Sequence, residues 1–174
     1  VTTTTLNVVP IMTTTSSAVT SLGNLEPQTT TASEGHLLSK YADQYLTELT
    51  DNILPFWLQH SKDEKYGGYF TCLDRAGEVY DTDKFMWLQG REVWCFSYMY
   101  KNLEARPEWL EMAQHGARFM EKYGRDDSGN WYFSLTQDGR PLVQPYNIFS
   151  DCFATMGFAA LDKACPSDQY KTIA

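Results

Sequence analysis

No Lys or Arg occurs before Lys40. That absence removes the charged start of a secretory signal and the Arg-rich pattern of an organelle transit peptide. No apolar run is long enough to span a bilayer. Basic residues are outnumbered throughout: 14 Lys and Arg against 22 Asp and Glu leave a net charge of -8. Such a balance argues against nucleic acid and against anionic membrane surfaces as partners. The four cysteines, Cys72, Cys95, Cys152 and Cys165, include no CxxC pair, and His36, His60 and His115 show no ligand spacing. Neither a disulfide frame nor a metal site is predicted; the cysteines read as reduced core thiols. Together these absences predict a soluble cytoplasmic protein.

What is present is ample apolar surface for one domain, at 43% hydrophobic residues over 174 positions. The first 33 residues stand apart. Thr2 to Thr5, Thr13 to Thr15 and Thr29 to Thr31 dominate them, without periodicity or enough apolar surface to offset ordering entropy. Residues 1–33 are therefore predicted to be a disordered Thr/Ser-rich tail, and 34–174 the folded part. Thr31 to Glu34 reads as a capping box. Leu37, Leu38, Tyr41, Tyr45, Leu46, Leu49, Ile53 and Leu54 then repeat at helical spacing, and Pro55 is expected to kink or end that helix.

Tyr66 to Leu73 predicts a strand entered through Gly67-Gly68, turned by Asp74-Arg75-Ala76-Gly77 and answered by Glu78-Val79-Tyr80. A helix over about Asp83–Leu103 is apolar nearly all round, so it is expected to be buried on most sides. The helix after Pro107, to Tyr123, carries Glu111, Gln114, Arg118, Glu121 and Lys122 and so has a wet face; His115 belongs to this outer, wet helix. The stretch Tyr69 to Gly77 returns in kind about sixty residues later as Trp131 to Gly139, and a second apolar helix, Tyr146 to Lys163, follows. A hairpin and two helices per period predict an all-α array of inner and outer helices with short β-hairpins between them. The chain holds little more than two such units and is expected to be part of a longer protein.

Within the first apolar helix, Trp87-Leu88-Gln89-Gly90-Arg91 sets an indole and a guanidinium one turn apart on one face. A ring beside a fixed guanidinium suits a polyol, stacking on it and holding its oxygens. From spacing alone the plainer reading is an interior arginine paired with a carboxylate, beside a core tryptophan. Asp126-Asp127, ahead of Ser128-Gly129, reads as a solvated turn and not as a glycosidase acid.

These segments resemble one family. Phe56-Trp57 with His60-Ser61, Gly67-Gly68-Tyr69-Phe70-Thr71-Cys72-Leu73 and Val79-Tyr80-Asp81 match it in order. So do Trp87-Leu88-Gln89-Gly90-Arg91 with Trp94, Leu135-Thr136 with Asp138-Gly139-Arg140-Pro141, and Ile148-Phe149-Ser150 with Cys152-Phe153. The chain is similar to the N-acylglucosamine 2-epimerase (renin-binding protein) family, from about Leu46 onward. The resemblance implies part of an (α/α)6 barrel, a six-hairpin toroid. It also implies interconversion of N-acetylglucosamine and N-acetylmannosamine by proton transfer at C2 through an enediolate. Arg91 matches the family's catalytic arginine and Trp87 an aromatic at the sugar. Phe149 stands where some relatives carry Tyr, and Ser150 is expected at the pocket, both as substrate contacts. No metal or catalytic cofactor is implied; ATP would act as an activator, and the full-length protein is expected to form a homodimer. The family's catalytic histidines belong to a second half, so this piece is expected to be inactive alone. An aldose–ketose isomerase, a cellobiose-type epimerase and a non-catalytic binding protein remain alternatives.

Overall fold

The computed structural model describes residues 32–174. All but the last two residues of the predicted tail, and the Thr31 end of the capping box, lie outside the described residues. The chain forms two compact units, 1–42 and 43–174. The described part of the first, residues 32–42, is helical and belongs to α1 (Ala32–Glu48). In the second unit, α1 runs into a π-helical turn, Leu49–Ile53, and then α2 (Leu54–His60). Pro55 therefore does not end the helical path. Its ring would collide with the carbonyl four residues back in a regular helix. Here the turn before it is wider, with the Leu54 amide donating to the Leu49 carbonyl, and Pro55 falls in the first turn of α2.

The predicted strand from Tyr66 shrinks to β1 (Cys72–Leu73), paired antiparallel with β2 (Val79–Asp81). Gly67 and Gly68 sit at φ +87° and +69°, which breaks the extended run. The Asp74–Gly77 turn forms as expected: the Asp74 carboxylate accepts the amides of Ala76 and Glu78. A further expectation fails at Asp83, because Lys84–Phe85 is a strand, β3, and the helix waits until Met86. β3 pairs with β4 (Ser134–Leu135), which pairs with β5 (Pro141–Val143), all antiparallel. In the repeat, the Gly139 amide reaches the Thr136 carbonyl as Gly77 reaches Asp74. Asp126–Gly129 makes the same turn, the Asp126 carboxylate accepting Ser128 and Asn130, so the acidic pair there is a solvated turn.

Four helices complete the unit: α3 (Met86–Asn102), α4 (Pro107–Tyr123), α5 (Phe149–Ala164) and the short α6 (Asp168–Ile173), which the sequence reading did not include. α3 and α5 pack directly on each other and α4 lies against α3, the inner and outer arrangement expected. The architecture is all-α with short hairpins, a portion of an (α/α)6 barrel. Gly90 and Gly157 make the inner crossing close. A Cβ on Gly90 would stand 2.6 Å from the Phe153 carbonyl oxygen, and one on Gly157 2.7 Å from that of Gly90. The core gathers Tyr69, Val93, Phe96, Trp109, Met112, Met120, Trp131, Phe158 and Leu161. Large side chains buried in this way stabilise the fold by about 1.5–3 kcal/mol each. α3 is less enclosed than its composition predicts. It buries one stripe, Met86, Gln89, Gly90, Val93, Phe96 and Ser97, while Tyr98 is 45% exposed.

Candidate functional site

Successive residues on α3 point about 100° apart, so the Trp87–Arg91 segment divides its side chains among several neighbours. Gln89 turns inward and is fully buried. Its Oε1 accepts the Tyr69 amide at 2.9 Å and its Nε2 donates to the Tyr69 carbonyl at 2.9 Å. That clamp satisfies a backbone stretch which the two glycines leave outside any ladder. Gly90 serves the crossing with α5. Trp87 and Arg91 are left on the side that meets Phe153 of α5. The Arg91 guanidinium lies 5.5 Å from the centre of the Phe153 ring, and the Trp87 and Phe153 rings are 6.0 Å apart at 50°.

Arg91 is exposed. Among the described residues it has no carboxylate within ion-pair distance. The interior, carboxylate-paired arginine of the plainer sequence reading is therefore not what forms. A guanidinium held at an aromatic face without a counter-ion keeps its fork of donors free for an oxygen-rich ligand. Phe153 is the meeting point of the pair, and spacing on α3 alone could not have named it.

The other two expected site residues separate. Phe149 opens α5, 61% exposed, with its amide capped at 3.0 Å by Asn147 Oδ1. It stands one turn before Phe153 on the same helix. Ser150 is 1% exposed and lies on the buried stripe of α5 with Ala154, Phe158 and Leu161; its Oγ has no hydrogen-bond partner. The structure thus joins Trp87 to Arg91 through Phe153, leaves Phe149 open nearby and encloses Ser150.

Arg91 also borders a cavity of about 350 Å³ walled by Leu54 and Trp57 of α2, Thr71, and Leu88, Glu92 and Phe96. Glu92 was not singled out from sequence, although a carboxylate inside Val93-Trp94-Cys95-Phe96 is a visible anomaly. Burial pushes its carboxyl up to about 8, and its Oε1 contacts the Ser61 hydroxyl. A buried charge pair lies under the Gly67 turn. Lys84, fully buried, reaches Asp63 at 2.7 Å and also donates to the Gly67 carbonyl.

Two of the three histidines, His60 and His115, are engaged elsewhere. His60 packs on Phe56 at 4.9 Å and against Gly77. His115, expected on a wet face, is half-buried with Nε2 3.0 Å from the Gly68 carbonyl oxygen, and burial lowers its pKa. Neither lines the cavity at Arg91. Among the described residues no three His, Cys, Asp or Glu side chains could hold a metal ion together. All four thiols are free, and Cys152, read as a core residue, is exposed.

The sequence model of the N-acylglucosamine 2-epimerase (GlcNAc 2-epimerase) family matches residues 68–174. The chain is 40% identical over 142 residues to an N-acylglucosamine 2-epimerase of Bos taurus, covering 79% of this chain and 33% of that protein. It is 32% identical over 119 residues to a cellobiose 2-epimerase of Bacteroides fragilis, covering 67% of this chain and 30% of the relative. The solved cellobiose 2-epimerase of Spirochaeta thermophila superposes with a TM-score of 0.73 at 26% identity, over 79% of this chain and 34% of that one. The chain thus spans about a third of the length of the proteins it matches.

Proposed function

The chain belongs to the N-acylglucosamine 2-epimerase family, and from that footing we propose that it supplies the sugar-holding arginine face of a C2 epimerase. The substrates are N-acetylglucosamine and N-acetylmannosamine. The observation that carries this reading is the Arg91 guanidinium, without a carboxylate partner among the described residues, over the Phe153 ring that Trp87 also meets. In the ring-opened sugar the C2 proton is acidic because it lies alpha to an aldehyde. A base removes it, negative charge develops on O1 and O2, and a proton returned to the opposite face gives the epimer. Arg91 stabilises the developing charge through donors already fixed in place, which is worth a few kcal/mol. Trp87 stacks on the sugar and Phe149 borders it, while Ser150, expected there too, is enclosed on the buried stripe of α5. Phe149 has no hydroxyl to offer, which weighs toward the N-acyl substrate over the disaccharide of the cellobiose-type relatives. The two proton transfers are assigned, as the family resemblance implies, to the family's catalytic histidines of the second half; His60 packs on Phe56 and His115 meets the Gly68 carbonyl.

The reading includes ATP as an activator, and no residue of this chain is assigned to it. Lys62, Lys84, Arg106, Arg140 and Lys171 are already engaged by carboxylates. The Gly67-Gly68 turn is closed by Gln89 and Phe119. No step is routed through ATP. A cytoplasmic location and a homodimer of the longer protein belong to the same reading. Among the described residues no helix is long and apolar enough to cross a membrane.

The test is solvent-deuterium exchange at C2 of both sugars, followed by NMR, in a protein of the relatives' full length that carries this chain. Arg91→Met is expected to lower exchange about 100-fold or more, as loss of a fixed donor at a developing oxyanion does. Unchanged exchange in that variant would remove Arg91 from the reaction. A non-catalytic binding protein predicts no exchange in either form.

A further inference from the structure

The Ser61 hydroxyl at the end of α2 meets two acceptors. Its Oγ lies 2.7 Å from the Trp57 carbonyl oxygen and also contacts Glu92 Oε1. A hydroxyl carries one hydrogen, so it can donate to only one of them. Donation to the carbonyl four residues back is the usual habit of a helical serine. The second contact is then made only if the Glu92 carboxyl brings a hydrogen of its own. Its surroundings favour that form, because the cavity wall around it is Leu54, Trp57, Leu88 and Phe96.

We propose that Glu92 rests as a neutral acid donating to Ser61 Oγ, and that it acts as a positioning residue for Arg91. The proton chain from Glu92 to Ser61 to the Trp57 carbonyl ties the turn of α3 that carries Arg91 to the end of α2. Neutrality has a second effect. Arg91 is the one other charged group among the described residues lining this cavity. A carboxylate there would offset the guanidinium charge that is meant for the substrate oxygens. The remaining titratable neighbours add no positive charge. The Tyr69 phenol donates to the Met112 carbonyl at 2.7 Å, and burial raises both it and the Cys95 thiol, so each stays neutral. Burial likewise raises the Glu92 carboxyl to about 8, in line with the hydrogen count. The part of this inference that concerns Arg91 rests on the reading of Arg91 as the sugar-facing group.

The experiment is a pH titration of the chain with carboxyl-labelled glutamate and labelled arginine, observed by NMR, with Glu92→Gln to assign the resonance. Glutamine keeps a donor toward Ser61, so this variant is expected to fold. The Glu92 carboxyl is expected to be protonated at pH 7 and to titrate with a midpoint about 8. The Arg91 Nε–H signal is expected to move with that midpoint in the parent chain and to lose the transition in Glu92→Gln. Should Glu92→Gln not fold, Ser61→Ala serves: losing the acceptor is expected to lower the Glu92 midpoint. Titration of Glu92 near the ordinary value of about 4.3 overturns the proposal. So does a parent Arg91 signal that ignores the Glu92 transition. The two failures are separable. If deuterium exchange is indifferent to Arg91→Met, the sugar reading falls, while a Glu92 midpoint about 8 still stands.

Discussion

Breaking the Asp63–Lys84 pair from either side is expected to have unequal effects, and the structure says which side costs more. Both groups are shut from solvent, at 1% and 0% exposed, with Nζ 2.7 Å from Oδ2. Lys84→Met leaves Asp63 charged but still accepting the amides of Lys65 and Tyr66 at 3.0 Å each and the Gln137 amide at 3.1 Å. Asp63→Asn leaves an ammonium with the Gly67 carbonyl and the faces of Phe119, at 4.5 Å, and Phe70, at 5.6 Å. Either stranded charge can escape by changing protonation, which sets a ceiling. At pH 7 that ceiling is about 4 kcal/mol for an aspartate and about 4.6 kcal/mol for a lysine, at about 1.36 kcal/mol per pKa unit. Loss of one partner of a buried pair generally costs about 3–5 kcal/mol. The carboxylate with three remaining donors belongs at the lower end, about 3 kcal/mol, and the ammonium near its ceiling.

The assay is equilibrium urea unfolding at pH 7, followed by the fluorescence of the buried Trp109 and Trp131. Thermal midpoints are expected to fall by about 10 °C for the milder variant. Acid supplies a second check. Burial works to raise the Asp63 carboxyl, but Lys84 and the Tyr66 amide outweigh it and hold the group below its usual value. A depressed acid adds stability that is present above its unfolded pKa and is lost as pH falls through the folded one. That acid loss is expected in the parent and not in Asp63→Asn. An Asp63→Asn cost under about 1 kcal/mol would refute the reasoning, as would a larger cost for Lys84→Met than for Asp63→Asn.

At the inner crossing, Gly90→Ala and Gly157→Ala force a methyl against backbone atoms at 2.6 and 2.7 Å. Each is expected to lower stability by about 1–3 kcal/mol in the same urea assay, while Gly129→Ala, with open space around it, meets no such clash and is held back only by its φ of +88°. Glu92 gives the opposite pH sign from Asp63: its pKa is raised on folding, so its contribution is full below the unfolded value and lost as pH rises through about 8. Stability is expected to decline across that window by at most about 1.4 kcal/mol per pH unit, and urea midpoints of Glu92→Gln are expected to lack this component.

What the sequence disclosed was local. The helix behind Pro107 was expected to have a wet face, and Trp109, Met112, Ala113, Gly116, Ala117 and Met120 form the buried face opposite it. The Asp74–Gly77 and Thr136–Gly139 turns need a residue that tolerates φ near +88°, and glycine marks both. What stayed hidden depends on partners far along the chain. Lys84 in isolation looks like a solvated lysine; only Asp63, twenty-one residues earlier, makes it a buried one. Gly90 looks like a weak spot in a helix until the Phe153 carbonyl arrives beside it. The π-turn at Leu49–Ile53 answers to Pro55, which was expected to kink or end the helix and instead follows a wider turn.

The division of labour on α3 explains why a single apolar-looking run can carry a site. A helix apolar on all sides would normally be enclosed, and its arginine neutralised by a carboxylate. Here Met86, Gln89, Gly90, Val93 and Phe96 take up the burial, and Gln89 spends both ends of its amide on Tyr69. The nearest acid in sequence, Glu92, lines the same cavity but contacts Ser61 and makes no ion pair with Arg91. Among the described residues Arg91 has no carboxylate partner, and the two polar groups near it on α3, Gln89 and Glu92, are held by Tyr69 and Ser61. A substitution that frees one of them, such as Ser61→Ala, is therefore expected to disturb Arg91 without touching it.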